Sequence, residues 1–353
     1  MATYLVTGAT GFVGGTLVRR LATQTPAHEL RVLVRDPADA QARALPETAR
    51  RVTASLADPN AIAEAARDVD VIFHCAGEAD RRASPRAFAW VNVAGTENVI
   101  NAARHAGVRR VVHLSCADAT LANRDRLSWK ETSVLTAAPL DACARSQLLA
   151  EELALQASGS GLEVCALRPA WTWGPGDRRV LAALYEEAQR GRVQLCGNGN
   201  NLVPTVYVEN LVDAMLLASE AKAAPGRAYH VLDAETLSAS ELLGKLCELL
   251  QVRAPVRGVY ALVYAAAWLR ARTGGEGLSP AQVAQRGRSC LFDGLAAARD
   301  LDYEPKIGVD EGMQALGAWL RELGGPSALV KVRRTANDEA RVAALVRVAE
   351  AEG

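Results

Sequence analysis

Three glycines near the start of the chain have the spacing of a turn that binds phosphate. The segment TGATGFVG (7–14) joins a short apolar run to a helix-like stretch. In such a turn the first glycine permits a sharp bend, the second lets the backbone approach a phosphate, and the third lets the helix pack on a sheet. The helix N-terminus then offers free N–H groups and a partial positive charge to a pyrophosphate. The predicted contacts with a bound dinucleotide are Gly8, Thr10, Gly11, Phe12, Val13 and Gly14.

The end of the next apolar run predicts a second polar contact, because Val34 is followed by Arg35 and Asp36. A carboxylate here would accept a hydrogen bond from the ribose 2′-OH of NAD, whereas a guanidinium would pair with the 2′-phosphate of NADP. Since Arg35 comes first, the sequence favours NADP and leaves NAD as the alternative. Solvated turn residues are the plainer interpretation of both side chains.

Alternating strand-like and helix-like segments must position these residues. The predicted strands are 4–7, 30–34, 51–54, 69–74, 110–115 and 163–167. Continuous apolar strands separated by helices indicate a parallel sheet that is covered on both faces. The sequence therefore predicts an α/β fold, a Rossmann-type doubly wound parallel sheet with a smaller, mostly helical C-terminal substrate lobe.

Three parts are predicted along the chain. Residues 1–170 form the dinucleotide-binding domain, with pieces of 203–235 returning to it, and residues 171–325 form the substrate lobe. Past residue 170 the alternation loosens, and segments rich in Gly, Pro and Asn interrupt it. Residues 326–353 are predicted to form an appended helix that packs on the domain or binds a partner.

Composition limits the classes of partner. Forty Lys and Arg balance forty Asp and Glu, so there is no electrostatic case for nucleic acid. Seven Cys, odd in number and without a CxxC pair, argue against a zinc site and a disulfide framework. The first residues lack the features of a secretory leader, and no apolar stretch is long enough for a bilayer. We expect a cytoplasmic protein with a small-molecule substrate and no metal, nucleic acid or transmembrane segment.

Several further motifs, together with the glycine turn, resemble the extended short-chain dehydrogenase/reductase superfamily. Members of this superfamily are also described as NAD-dependent epimerase/dehydratase proteins. The branches that this sequence resembles most are the 3β-hydroxysteroid dehydrogenases and the dihydroflavonol reductases. The resemblance covers about residues 3–323. Its motifs are LVRDP (33–37), SLAD (55–58), HCAG (74–77), NVAGTEN (92–98), LRPAWTWGPGD (167–177), GNGN (197–200) and YVEN (207–210).

This resemblance implies hydride chemistry on a hydroxyl or carbonyl group, with a nicotinamide dinucleotide as cofactor. It implies adenine-side contacts from Leu56 and Asp58, a nicotinamide-side contact from Ala76, and a further cofactor contact from Pro169. It also implies a homodimer through the helices that follow the fourth and fifth strands.

The resemblance fails at the catalytic centre. The family has a Ser or Thr at the end of the fifth strand and a Tyr-xxx-Lys on the next helix, where the Tyr transfers a proton and the Lys lowers the Tyr pKa. Here Cys143 takes the Tyr position and Gln147 the Lys position, and Cys116 takes the Ser position, with Ser115 one residue earlier. No Tyr occurs between residues 5 and 184, and Lys130 is the only Lys before residue 222, so the usual pair is absent.

A rebuilt active site is one interpretation of this departure. Cys116 and Cys143 would face each other across the pocket, and a cation that lowered a thiol pKa would permit acid or nucleophilic chemistry. Packing is the plainer interpretation of both thiols, and of His113 on its buried strand. The candidate partners are the cations Arg81, Arg82 and Arg145, the bases Asp118 and Glu131, and the proton shuttle His74.

Two other interpretations stay open. A catalytically degenerate protein would keep dinucleotide binding and act as a sensor, scaffold or subunit. Alternatively, the pocket would rely on hydride geometry with a proton from water, or on chemistry without redox. Tyr207, in TVYVEN, is predicted to be structural rather than a substitute catalytic tyrosine. The sequence favours an oxidoreductase acting on a small, rather apolar hydroxy or keto compound through a non-standard site.

Overall fold

The computed structural model describes residues 2–24, 28–81, 83–135, 138–273 and 277–330. Its strands are β1 (Thr3–Thr7), β2 (Glu29–Val34), β3 (Ala49–Thr53), β4 (Val71–His74), β5 (Arg110–Leu114), β6 (Arg126–Trp129), β7 (Glu163–Pro169), β8 (Trp171–Trp173), β9 (Gln194–Cys196), β10 (Leu202–Val203), β11 (Thr205–Tyr207), β12 (Ala228–Val231), β13 (Leu237–Ser238), β14 (Val256–Gly258) and β15 (Cys290–Phe292).

The α-helices are α1 (Phe12–Ala22), α2 (Ala40–Arg43), α3 (Pro59–Ala65), α4 (Pro85–Phe88), α5 (Gly95–Ala106), α6 (Ala142–Gln156), α7 (Val180–Gln189), α8 (Val208–Glu220), α9 (Ala239–Leu249), α10 (Tyr260–Thr273), α11 (Pro280–Gly287), α12 (Leu295–Leu301) and α13 (Val309–Glu322). A π-helical segment, Ala89–Ala94, leads into α5, and a 3₁₀ turn, Ala117–Thr120, follows β5.

Seven parallel strands form the main sheet, in the order β3-β2-β1-β4-β5-β7-β12. Helical crossovers between parallel strands cover both faces of such a sheet. The strand order reverses between β1 and β4, and a reversal of this kind opens a crevice at the carboxyl ends of the strands. The predicted fold class, a Rossmann-type parallel sheet with a mostly helical C-terminal region, is confirmed.

The two faces of the sheet carry separate apolar clusters. Because successive side chains of a strand point to opposite faces, neighbours along β1 and β4 belong to different clusters. Val6 and Phe73 pack with residues of α1 and α8, whereas Leu5 and Ile72 pack with residues of α3 and α5. This double burial fixes the level at which the strands end, and therefore where the crevice lies.

The C-terminal region has a core of its own, built mainly from α7, α9 and α13. Tyr207 lies in it, with its ring centroid 5.0 Å from that of Trp173, and burial raises its pKa to about 12. The ring is therefore a packing element, as predicted. Of the pieces expected to return to the sheet, β12 pairs with β7 as the seventh strand, while β11 pairs with β8 outside the main sheet.

The predicted C-terminal helix falls largely beyond Val330, the last described residue, so most of it lies outside the described part of the chain. Leu329, near that limit, is buried in the core of the C-terminal region. No helix among the described residues combines the length and the apolar character needed to cross a bilayer.

Candidate functional site

A cleft of about 1840 Å³ follows the carboxyl ends of β1, β4, β5 and β7. One end lies at the glycine turn and the start of α1, and the other at Cys116, Cys143 and Gln147. Residues of α7 and α11 from the C-terminal region close its outer side. Sites for single small ligands usually measure about 300–1,000 Å³, so this cleft has room for a dinucleotide and a second molecule.

The glycine turn has the backbone geometry that its sequence predicts. Gly8 has a φ of +69°, and a Cβ there would lie 2.6 Å from the backbone nitrogen of Ala76. A Cβ on Gly14 would collide with the carbonyl oxygen of Gly8, so any side chain would push α1 away from the turn. No described side chain caps α1 at Gly11, which leaves the N–H groups of its first turn available to an anion.

The predicted cofactor contacts divide into two sets. Outside the cleft lining, Leu56 packs against the Gly95 position of α5, and Asp58 caps α3 by accepting a hydrogen bond from Ala61 N at 3.0 Å. Asp58 therefore has a structural role in addition to any contact with adenine. The predicted contacts that line the cleft are Thr10, Gly11, Phe12, Val13, Ala76 and Pro169.

The two residues that follow β2 differ in how they are used. Asp36 accepts a hydrogen bond from Ala38 N at 2.8 Å and so stabilises the turn. Arg35 is exposed, and within the described ranges it has no hydrogen-bond or ion-pair partner. Neither residue belongs to the described lining of the cleft.

His74 does not act at the cleft surface, which corrects the expectation that it shuttles protons. Its ring is fully buried, with Nδ1 2.7 Å from the Thr7 hydroxyl and Nε2 3.0 Å from the Thr96 hydroxyl. Thr96 donates its own proton to Asn92 O, so it accepts from His74 Nε2–H. Burial lowers the His74 pKa to about 3, and the ring is neutral at physiological pH.

His74 instead belongs to a chain of hydrogen bonds that joins the two ends of the cleft. Asn92, at the far end of that chain, donates from Nδ2 to Ser146 Oγ at 2.8 Å, and Ser146 donates to the carbonyl oxygen of Cys143 at 2.8 Å. Asn92 Oδ1 also accepts from Glu78 N at 2.7 Å. The strand before the glycine turn, the loop after β4 and the first turn of α6 are thus held together.

Two buried polar groups that line the cleft lack partners among the described residues. They are both ring nitrogens of His113 and the hydroxyl of Ser115. Burial lowers the His113 pKa to about 4, so the ring is neutral. The burial expected of His113 is found, but its nitrogens are not satisfied. Unpaired buried polar groups are costly. The Ser115 hydroxyl nevertheless acts on the Glu151 carboxyl, whose pKa it helps to lower, and none of these three atoms is exposed at the surface of the cleft.

Arg81 is a cation at the end of the cleft that contains Cys116 and Cys143. It pairs with Asp141, whose second oxygen caps α6 by accepting from Ala144 N at 2.8 Å. Cys143 lies in the first turn of the same helix, and Arg81 acts electrostatically on both Cys143 and Cys116. Of the other predicted cations, Arg145 is exposed outside the cleft lining, and Arg82 lies outside the described residues.

The two thiols stay neutral despite Arg81. Burial raises the pKa of Cys116 to about 12 and that of Cys143 to about 11, and the nearby guanidinium only reduces these shifts. Desolvation outweighs the charge of Arg81 in this arrangement, which argues against activation of either thiol as a nucleophile. Both thiols do line the cleft, where a neutral S–H is a weak hydrogen-bond donor.

Gln147 lies one helical turn after Cys143 on α6 and also lines the cleft. Its Nε2 lies 3.7 Å from the position that a Cβ on Gly77 would take, so the amide reaches the loop after β4. No tyrosine or lysine is among the described residues that line the cleft. Any proton-transfer group in the described lining is therefore of another type.

The two predicted bases lie in different environments. Glu131 is outside the cleft lining and accepts a hydrogen bond from His230 N at 2.9 Å, so it supports the backbone. Asp118, in the 3₁₀ turn after β5, lines the cleft and accepts a hydrogen bond from Nε2 of Gln285. Burial raises the Asp118 pKa to about 6, and Arg81 and Gln285 limit that rise.

The contribution of α11 to the cleft was not predicted from the sequence. Ser279 and Gln282 form a capping box with Pro280 in the first turn, which is a local indication of a helix start. Nothing in that pattern indicates that Gln285 would contact Asp118. Within the described ranges, no group of three His, Cys, Asp or Glu side chains is arranged to hold a metal ion.

Residues 4–231 match the model of the NAD dependent epimerase/dehydratase family. The chain is 32% identical over 345 residues to a 2-alkyl-3-oxoalkanoate reductase of Stenotrophomonas maltophilia, covering 89% of this chain and 98% of the relative. It is 30% identical over 330 residues to a 3-beta-hydroxysteroid dehydrogenase of Mycolicibacterium neoaurum, covering 88% of each.

Solved structures with the same architecture include gox2253, with a TM-score of 0.75, 25% identity, and coverage of 92% of this chain and 99% of the other. DesIV, a dTDP-glucose 4,6-dehydratase from Streptomyces venezuelae with NAD and TYD bound, has a TM-score of 0.73 at 26% identity, over 91% of this chain and 98% of the other. The family match spans the sheet and the glycine turn, and this chain therefore belongs to the NAD dependent epimerase/dehydratase family of extended short-chain dehydrogenases/reductases.

Proposed function

We propose that this protein is an oxidoreductase that uses NADP(H), with NAD(H) as the alternative, to interconvert a hydroxyl and a carbonyl group on a small, rather apolar compound. The observation that carries the proposal is a single cleft that joins the glycine turn to Ser115, Cys116 and Asp118 at the carboxyl end of β5. A dinucleotide lying from the turn toward those residues would bring its nicotinamide to the end of β5.

The residues present fit a dinucleotide. The N–H groups in the first turn of α1 would bind the pyrophosphate, and Gly8 and Gly14 keep that turn compact. Ala76 and Pro169 would flank the nicotinamide half, Leu56 and Asp58 would lie near the adenine, and the free guanidinium of Arg35 would pair with a 2′-phosphate. When bound, the cofactor supplies or accepts the hydride.

At the chemical end, Ser115 and Cys116 would bind the substrate oxygen as hydrogen-bond donors. Cys143 and Gln147 occupy the positions where the family has its Tyr and Lys, and here they would shape the pocket and contact the ribose without exchanging protons. His74 would act only through the hydrogen-bond chain that holds Thr7 and Asn92. We expect this site to work with neutral thiols.

The substrate proposed is an apolar ketone or secondary alcohol. The outer part of the cleft is lined by apolar side chains that include Trp171, Val203, Leu243 and Trp319. The two relatives reported above are named for a 2-alkyl-3-oxoalkanoate and a 3-beta-hydroxysteroid, both of which combine an oxygen-bearing carbon with an apolar body. A compound of this type would match the lining.

A cytoplasmic homodimer through α5 and α6 is part of the proposal. These helices follow the fourth and fifth strands of the chain, and Leu149 on α6 is 48% exposed. Size-exclusion chromatography with light scattering tests it. A Leu149→Glu variant that becomes monomeric would support the interface, whereas a monomeric wild-type protein would exclude it.

Binding of NADPH and NADH, followed by cofactor fluorescence, tests the cofactor site. We expect NADPH to bind more tightly, and Arg35→Ala to weaken NADPH by about 10–100-fold with little effect on NADH, because a charge-assisted hydrogen bond contributes roughly 1.5–3 kcal/mol. Arg253→Ala is the matched control, since Arg253 is equally exposed but lies between α9 and β14, in the C-terminal region. Failure of the wild-type protein to bind either dinucleotide would sink the proposal.

A catalytically degenerate dinucleotide-binding protein is the second candidate, favoured by the absence of Tyr and Lys from the described lining of the cleft. The two candidates separate on turnover. Oxidation of NADPH in the presence of a 3-oxosteroid or a 2-alkyl-3-oxoalkanoate supports the enzyme. Tight NADPH binding with no turnover on either probe supports the sensor, scaffold or subunit.

A further inference from the structure

We propose that Asp118 is the proton-transfer group of this active site, in the role that the family gives to tyrosine. The inference rests on the proposed oxidoreductase function and names the residue that completes it. Asp118 lies two positions after Cys116, in the 3₁₀ turn that directly follows β5. Several acidic side chains belong to the described lining of the cleft, and Asp118 is the one on the segment that also carries Ser115 and Cys116.

The position of Asp118 is fixed from two sides. Its turn is closed by a hydrogen bond from Leu121 N to the Asp118 carbonyl oxygen at 3.1 Å. From the C-terminal region, Gln285 on α11 donates to Oδ2 of the carboxyl group. With Oδ2 held by Gln285, the proton of the acid form resides on Oδ1, which is the oxygen left to meet a substrate.

The charged and titratable groups around Asp118 come from three other elements. Arg81 lies in the loop after β4, Cys116 at the end of β5, and Cys290 on β15. Both thiols are neutral, because burial raises the pKa of each to about 12. Arg81 is shared with Asp141 and does not offset the burial of Asp118, whose pKa rises to about 6. The carboxyl group can therefore give up and regain a proton near neutral pH.

In the reducing direction the step is balanced as follows. The carbonyl carbon gains a hydride from NADPH, and the π-electron pair of the carbonyl moves onto the oxygen. That oxygen takes the proton from Oδ1 of Asp118, which breaks the O–H bond of the acid and leaves a carboxylate. The products are the alcohol, NADP⁺ and the Asp118 carboxylate, which regains a proton from water at the mouth of the cleft. In the oxidising direction the carboxylate accepts the hydroxyl proton.

The decisive variant is Asp118→Asn, which keeps the shape and the contact with Gln285 but cannot donate an acid proton. We expect kcat for reduction of the 3-oxosteroid or 2-alkyl-3-oxoalkanoate probe to fall by about 10²–10⁴-fold, with NADPH affinity within about threefold of wild type. Asp310→Asn is the matched control, because Asp310 lies on α13 with an exposed side chain paired to Lys245. A variant that keeps kcat within about threefold of wild type overturns the inference.

The dependence of the reduction rate on pH separates a proton-transfer role of Asp118 from a merely structural one. Reduction by the wild-type protein should decline as the pH rises above about 6, the pKa of Asp118. The hydrogen bond from Gln285 lowers that pKa, so Gln285→Met should shift the decline to higher pH. An unchanged profile in Gln285→Met, or the same decline in Asp118→Asn, contradicts the assignment.

The inference and the proposed function fail in different ways. If the wild-type protein and Asp118→Asn turn over a probe equally well, Asp118 is not the proton-transfer group, but the protein is still an oxidoreductase. If the wild-type protein oxidises NADPH with neither probe, both the proposed function and the role of Asp118 are contradicted.

Discussion

The two ends of the cleft are built on different physical grounds. At the glycine turn the backbone itself makes the site, and Gly8 and Gly14 leave no room for a side chain. At the other end the site consists of side chains, namely Ser115, Cys116 and Asp118, on a strand end and a short turn. A site made of backbone tolerates almost no substitution at its glycines, whereas a site made of side chains keeps its frame when individual groups change.

The hydrogen-bond chain through His74 explains how the two ends stay aligned. Thr7 leads into the glycine turn, and Asn92 contacts the first turn of α6 through Ser146. The end of β1, the loop after β4 and the first turn of α6 are therefore held in one frame. Cys143 and Gln147 lie on the helix of that frame.

Gly14→Ala should disrupt the glycine turn, and we expect it to have the largest effect of the substitutions considered. The added Cβ would collide with the Gly8 carbonyl oxygen, so we expect a loss of about 3 kcal/mol or more in the free energy of unfolding, with NADPH binding abolished. Urea denaturation and cofactor fluorescence measure both. Gly244→Ala on α9 is the control, because open space surrounds it and alanine should stabilise that helix by up to ~1 kcal/mol. If both substitutions changed stability and NADPH binding equally, the glycine turn would not be specially intolerant of a side chain.

Alkylation of the two cysteines tests whether their thiols are neutral at the side-chain end of the cleft. Because burial raises the pKa values of Cys116 and Cys143, we expect iodoacetamide to modify them about 100-fold more slowly than glutathione at pH 7.5. Arg81→Met should slow the reaction further, since Arg81 lowers both pKa values. Peptide mapping by mass spectrometry assigns the rates, with Cys116→Ser and Cys143→Ser as references. Rates equal to that of glutathione would restore the thiol as the reactive group.

Acid titration tests the link between the ends. Burial lowers the pKa values of His74, His113 and His230 to about 3, 4 and 4, so the folded protein binds fewer protons than the unfolded chain below pH 6.5. Stability is therefore fully present above pH 6.5 and is lost as the pH falls toward 4, by roughly 1 kcal/mol per pH unit for each histidine. His74→Gln should reduce that slope by about one proton, measured by urea denaturation from pH 7 to 5. His105→Gln, on the exposed end of α5, should leave it unchanged.

The sequence predicted the sheet and the glycine turn, because these depend on local patterns. The helices α11 and α12 were not predicted. Both are short, with few buried apolar residues to produce a helical period. The absence of Tyr between residues 5 and 184 was also evident without a structure, because it is a statement about residue types.

Which polar groups have partners was decided by the tertiary structure alone. His74 and His113 are paired in register on neighbouring strands and look alike in the sequence. Both ring nitrogens of His74 are hydrogen-bonded, whereas those of His113 have no hydrogen-bond partner among the described residues. Likewise Arg81, and not Arg145, faces the thiols, and Gln285 meets Asp118 across 167 residues of chain. Local backbone preferences are written in neighbouring residues, whereas hydrogen-bond partners and pKa values depend on groups that only long-range packing brings together.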